Sequence, residues 1–124
     1  VLYKPIATDM IMKITEDDVI ESLELFTRVP SFILRRWARG RTNLASRFRS
    51  QIIEGYSQLS ESDRERVRAV LQMDVSDIQN ILEAAHLKTG KRQLGILADP
   101  SSRNFIEINL GEIRNILSQE FHRD

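Results

Sequence analysis

The sequence predicts a mainly α single domain with a C-terminal β-hairpin, an α+β fold. Three observations lead there. Apolar residues recur at helical spacing from Val19 to Ala85. Between Arg92 and Leu110 the period changes to two, the spacing of strands. Across all 124 residues no Gly-, Pro- or Ser-rich linker and no internal repeat divides the chain, and this length suits one domain with a core of its own. Within it, residues 15–60 form a helical N-terminal part, 62–110 two helices and the hairpin, and 111–121 a terminal helix.

Residues 1–14, with Pro5, show no clear period, although Met10, Met12 and Ile14 alternate as a short strand would. Thr15 followed by Glu16, Asp17 and Asp18 is a helix start: a capping hydroxyl, then acids where the helix dipole favours negative charge. Val19, Ile20, Leu23 and Phe26 continue it, and Pro30 ends it by disfavouring helical geometry at Val29. Ser31 caps a short helix from Phe32 to Arg39. Its Arg35, Arg36 and Arg39 fall within about 100° of one another, while Ile33, Leu34, Trp37 and Ala38 cover the other side. Gly40 breaks or bends the chain. Thr42 or Asn43 then caps a third helix to about Leu59, with Leu44, Phe48, Ile52, Tyr56 and Leu59 as its apolar stripe.

Ser62-Asp63-Arg64-Glu65 has the spacing of a capping box. The helix it opens turns Val67, Val70 and Leu71 inward. Asp74 interrupts that helix and caps the next, lined by Val75, Ile78, Ile81, Leu82 and Ala85, with Lys88-Thr89-Gly90 as its C-terminal cap. The hairpin follows. Leu94, Ile96 and Ala98 share one face of the strand from Arg92 to Ala98, and Ile106, Ile108 and Leu110 one face of the strand from Asn104 to Leu110. Asp99-Pro100-Ser101-Ser102-Arg103 supplies the turn chemistry between them. Gly111 opens the last helix, through Ile113, Ile116, Leu117 and Phe121.

Composition excludes several classes of protein. Apolar runs reach only three or four residues, as in Phe32-Ile33-Leu34, too few to span a bilayer. There is no cysteine, hence no disulfide, thiolate metal site or cysteine nucleophile. The opening residues lack the pattern of a secretory signal, and a cytoplasmic location is expected. Lys plus Arg and Asp plus Glu are 18 each, so the formal net charge is zero, but the average hides a pattern. Residues 1–30 carry three basic and six acidic side chains, and residues 51–86 three and seven. Residues 31–50 carry six arginines and no acid. A neutral chain with one all-arginine segment is not built for long-range attraction to polyanions, but it can hold phosphate or an acidic surface locally.

The run from Val67 to Leu82 resembles a helix-turn-helix, with Val67, Leu71, Met73, Ile78 and Leu82 at offsets that lock two crossing helices. With the hairpin after it, residues 62–110 resemble the winged helix-turn-helix superfamily. Two departures are visible: Gln72 holds the turn position usual for glycine, and Arg68 stands where that pattern has a small residue. The resemblance implies that the second helix enters a major groove of DNA. Ser76, Gln79 and Asn80 would then face base edges, and Val75 a thymine methyl. That helix carries Asp77 and Glu83, so cations would have to come from Lys88, Lys91, Arg92 and Arg103 at the base and tip of the wing. The alternative is that Gln79 and Asn80 are simply solvated.

The second candidate is the arginine segment itself: Arg35, Arg36, Arg39, Arg41, Arg47 and Arg49, with Trp37 and Phe48 interleaved. Guanidinium forks grip phosphate bidentately and stack on flat rings, which suits DNA or RNA. The same arginines could meet an acidic surface instead, either the helix carrying Glu16, Asp17, Asp18, Glu21 and Glu24 or an acidic protein partner. Trp37 and Phe48 fall near the apolar faces of their helices and read as core. A membrane partner is disfavoured, because the helix is short and offers no apolar face to insert. A homodimer through residues 111–121 is compatible with either reading.

No catalytic constellation appears. The two histidines, His86 and His122, have no spaced His, Asp or Glu partner, and His86 suits a helix C-terminus. Phosphate-loop, nucleophile-elbow and zinc-protease motifs are missing. The expectation is a non-enzymatic nucleic-acid-binding protein with no cofactor and no metal, or else a protein-interaction module.

Overall fold

A computed structural model describes residues 13–40 and 42–121. Its elements are α1 (Glu16–Ser22), α2 (Glu24–Thr27), α3 (Ser31–Arg39), a 3-10 turn (Ala45–Phe48), α4 (Arg49–Ser57), α5 (Glu61–Leu71), α6 (Val75–Thr89), α7 (Arg92–Ala98), a second 3-10 turn (Pro100–Ser102) and α8 (Arg103–Phe121). Among the described residues there is no strand.

Local chemistry explains several helix ends. Thr15 and Asp18 form a reciprocal capping box: the Thr15 hydroxyl accepts from the Asp18 amide at 3.2 Å, and the Asp18 carboxylate accepts from the Thr15 amide at 2.9 Å. Asp74 caps α6 by accepting from the Ser76 amide at 2.9 Å. Gly90 ends α6 at φ 72°, a left-handed conformation that a side chain would strain. The cap of α5 is Ser60, which accepts from the Asp63 amide at 3.2 Å, two positions before the expected Ser62. The third helix begins as a 3-10 turn before α4, behind Asn43, which accepts from the Ser46 amide at 3.2 Å. The alternation ending at Ile14 lies mostly outside the described residues.

The β-hairpin, and with it the α+β class, is overturned. Residues 92–98 are helical, with Leu94 and Leu97 buried one turn apart. Residues 103–121 are one helix of 19 residues, and Gly111 lies inside it rather than opening it. The second face of period two was one stripe of this helix seen in part. Phe105, Ile106, Asn109, Leu110, Ile113, Ile116 and Leu117 are the buried set, at spacings of one, three and four. Asp99 accepts from the Ser101 amide at 2.9 Å and starts a 3-10 turn with Pro100 in its first turn, where a hairpin would use the same residues. The wing implied by the family resemblance is therefore not formed by residues 92–110.

Helix α8 is the axis of the domain. It packs against α3, α4, α5, α6 and α7 and both 3-10 turns. Helices α6 and α7 form the most extensive pair, and α1 lies across α5 and α6. Phe26 of α2 meets Phe105 of α8 edge to face, ring centres 5.3 Å apart. Among the described residues, Asn109 is the one fully buried side-chain amide. Its Oδ1 accepts from the Leu44 and Ala45 amides, each at 2.9 Å, and its Nδ2 donates to the Thr42 and Phe105 carbonyls at 3.0 and 2.8 Å. All four of its hydrogen-bonding sites are used. Three of the partners lie in residues 42–45, so this side chain fastens the segment that leads to Arg47 and Arg49 onto α8.

Candidate nucleic-acid interface

Helix α3 is short and sharply two-sided. Leu34 and Ala38 are buried, and Trp37 is half-buried against the core. On the other side Arg35, Arg36 and Arg39 are exposed. Phe32 stands on that same face, three and four residues before Arg35 and Arg36. It is 70 % exposed and, with Leu87, is one of two large apolar side chains left open to solvent among the described residues. Sequence reasoning placed Trp37 and Phe48 in the core and passed over Phe32. Its helical offset from the arginines was the signal that could have found it.

Arg47, in the first 3-10 turn, and Arg49, at the start of α4, are also exposed. Arg41 lies outside the described residues. Among the described residues no carboxylate forms an ion pair with Arg35, Arg36, Arg39, Arg47 or Arg49. Three acids of the first helices pair elsewhere. Asp18 pairs with Arg66 at 2.9 Å, Glu16 with Lys88 at 3.3 Å, and Glu24 with Arg28. Partial burial pushes the Asp18 carboxyl up. The Thr15 amide and hydroxyl, with the Arg66 guanidinium, outweigh that and hold it below the usual carboxylate range.

A cleft of about 590 Å³ opens between α3, α6, α7 and the second 3-10 turn, lined among others by Arg35, Arg39, Glu83, His86, Arg92 and Asp99. The turn at Gly90 creates it by folding α7 back along α6. His86 sits at the fold: its Nδ1 donates to the Lys91 carbonyl at 2.8 Å. A carbonyl can only accept, so Nδ1 carries the proton in the neutral ring and Nε2 keeps a free lone pair. The imidazole lies against Gly95, where an added Cβ would come within 2.8 Å of its Cε1. The Asp99 carboxyl is held below its usual range, first by hydrogen bonds from the Ser101 hydroxyl and amide, then by the charge of Arg39 nearby.

The residues expected to read bases divide. Gln79 is turned inward, its Nε2 donating to the Leu97 and Asp99 carbonyls at 3.0 and 2.9 Å, so its amide ties α6 to the end of α7. Val75 packs against the core. Ser76 and Asn80 are exposed. Ser76 Oγ accepts from Arg103 at 2.6 Å, and Arg103 also pairs with Glu107 at 3.0 Å, so that cation is engaged within the fold. Lys91 and Arg92 are exposed beside the cleft, and Arg92 joins Arg35 and Arg39 in lining it. The expected hairpin cation Arg92 is thus brought to the arginines of α3 by a helix rather than by a wing. His122 lies outside the described residues. His86, expected to act only as a helix-end cation, lines the cleft instead.

No group of His, Asp and Glu among the described residues is arranged to hold a metal ion. No described helix is long and apolar enough to cross a membrane. No protein-family model matches the chain, and no curated protein or solved structure is significantly similar to it.

Proposed function

We propose that this chain binds nucleic acid through phosphate, using Arg35, Arg36 and Arg39 of α3 with Arg47, Arg49 and Arg92, and that it acts by binding rather than by catalysis. The observation that carries this reading is a separation of charges. The arginines of residues 31–50 that are described are exposed and form no ion pair among the described residues, while the acidic helix α1 pairs with Arg66 and Lys88. Internal neutralisation, the simplest alternative, therefore has no ion pair in its favour. Phe32 favours a strand with accessible bases over an acidic protein surface: an exposed ring in a row with guanidinium groups is a stacking platform for a base.

The test is binding of a fluorescent single strand and of a duplex at two salt concentrations. Phosphate contacts make affinity fall steeply with salt. Replacing Arg35, Arg36 and Arg39 together by alanine should flatten the single-strand salt slope by about 2. Phe32→Ala should weaken single-strand binding about 5- to 100-fold and leave the slope unchanged, because stacking releases no counterion. Absence of binding at low salt, or binding indifferent to the triple substitution, refutes the proposal. Capture by an acidic polypeptide but by neither nucleic acid would replace it with a protein-interaction role.

A further inference from the structure

We infer that the cleft between α3, α6 and α7 is a site for a terminal phosphomonoester of a nucleotide, sharing Arg35, Arg39 and Arg92 with the arginine face that follows a strand's backbone. The inference rests on the phosphate-binding reading for its ligand class and on the cleft for everything else. Arg35, Arg39 and Arg92 reach this space from two separate helices, so their guanidinium groups converge on one volume instead of following a line. A chain-internal phosphodiester, with nucleotides on both sides, suits a surface. A concave site of about 590 Å³ is the size that admits a small molecule or a strand end.

His86 narrows the chemistry. With Nδ1 committed to the Lys91 carbonyl, its other nitrogen accepts a hydrogen bond when the ring is neutral and donates one when the ring is charged. A phosphomonoester keeps an ionisable hydroxyl, which can pair with that nitrogen in either role; a phosphodiester has none. The other charged groups lining the cleft are Arg35 and Arg39 from α3, Glu83 from the same helix as His86, and Arg92 and Asp99 at the two ends of α7. Asp99 is occupied by the Ser101 amide and hydroxyl. Glu83 is exposed and without an ion-pair partner among the described residues, which leaves its carboxylate to accept from a sugar hydroxyl or a base amino group. Arginines, histidine and a donor-seeking carboxylate together fit a nucleotide better than a bare anion.

The experiment measures affinity for one short oligonucleotide carrying a 5′-phosphate, a 3′-phosphate or hydroxyls at both ends, with a free nucleoside monophosphate and inorganic phosphate as competitors. One phosphorylated end should bind at least about ten-fold tighter than the hydroxyl form, since a charge-assisted contact of about 1.5–3 kcal/mol corresponds to ten-fold or more. Arg92→Ala should abolish that preference. Arg36→Ala, which alters a residue outside the cleft, should weaken all three oligonucleotides alike. His86→Gln should reduce the end preference at constant pH, because it removes the ring nitrogen that meets the phosphate. Competition by the monophosphate identifies a free nucleotide as ligand, and end preference without competition identifies a strand end; either supports the site. Equal affinity for all ends, unmoved by Arg92→Ala and with no competition, overturns the cleft but leaves strand binding standing. Monophosphate binding without any strand binding keeps the cleft and removes the proposed function. Inorganic phosphate competing as well as the nucleotide also overturns the nucleotide assignment.

Discussion

Asn109→Asp changes one atom in the core and should convert a stabilising anchor into a pH-dependent fault. The carboxylate keeps the Oδ1 that accepts from the Leu44 and Ala45 amides at 2.9 Å. In place of the Nδ2 donor it sets a second oxygen against the Thr42 and Phe105 carbonyls, at 3.0 and 2.8 Å. Two hydrogen bonds become two repulsive oxygen contacts around a buried charge. The folded chain therefore prefers the protonated acid, which can donate to one of the carbonyls, and the pKa rises above its unfolded value of about 3.9. The sign follows from proton counting. Below the unfolded pKa both states are protonated and the variant lacks little more than one bond, about 1 kcal/mol. As pH rises toward the folded pKa the unfolded state ionises first, and stability falls by up to about 1.4 kcal/mol per pH unit. A rise of two to three units gives a total loss of about 4–5 kcal/mol at neutral pH. Domains have about 5–15 kcal/mol in all. Urea unfolding followed by far-UV circular dichroism across pH measures this directly, because the parent asparagine does not titrate. Asn109→Leu is the control: it should cost about 2–5 kcal/mol at every pH, from two buried amides left without an acceptor. A difference between Asn109→Asp and parent that stays flat from about pH 4 to about pH 7 would refute the anchoring role.

Two further outcomes follow from local geometry. Asp18 has a folded pKa below its unfolded one, so its contribution is present above the unfolded pKa and lost as pH falls through the folded value. Asp18→Asn should therefore cost about 1 kcal/mol at neutral pH and converge with the parent in strong acid, read from the same unfolding curves. Gly90→Ala should cost about 1 kcal/mol through backbone strain alone, since nothing lies within 4 Å of where its Cβ would stand. A stabilised Gly90→Ala variant in thermal unfolding would contradict the left-handed cap.

Where a residue's local chemistry admits one outcome, the sequence was a sufficient guide. Thr15, Asp74 and Gly90 take the capping positions expected of them, because a side-chain oxygen next to free amides, or a residue without Cβ, decides a helix end without reference to the rest of the chain. The hairpin failed because its markers are ambiguous. Asp99-Pro100 begins a helical turn as readily as a β-turn, and Leu94, Ile96 and Ala98 alternate while Leu94 and Leu97 also sit at helical spacing. The tertiary context selected the helix: Phe105, Asn109 and Ile113 join Ile106 and Leu110 in one stripe only when residues 103–121 are helical. The exposed face of α3 was legible from its arginine spacing. The convergence of Arg35 and Arg39 with Arg92 and His86 was not, since it depends on α7 folding back at Gly90, a juxtaposition of residues distant in the chain. The inward turn of Gln79 was equally invisible, because its acceptors are carbonyls of α7.

The sorting of opposite charges into separate stretches bears on how the molecule behaves in a column. At its isoelectric point, near pH 6.9, a chain with 18 cationic and 18 anionic side chains evenly mixed would pass an ion exchanger without delay. Here the unmatched guanidinium groups should still grip a sulfated resin at that pH. Retention on heparin would then exceed anything the overall titration curve foretells.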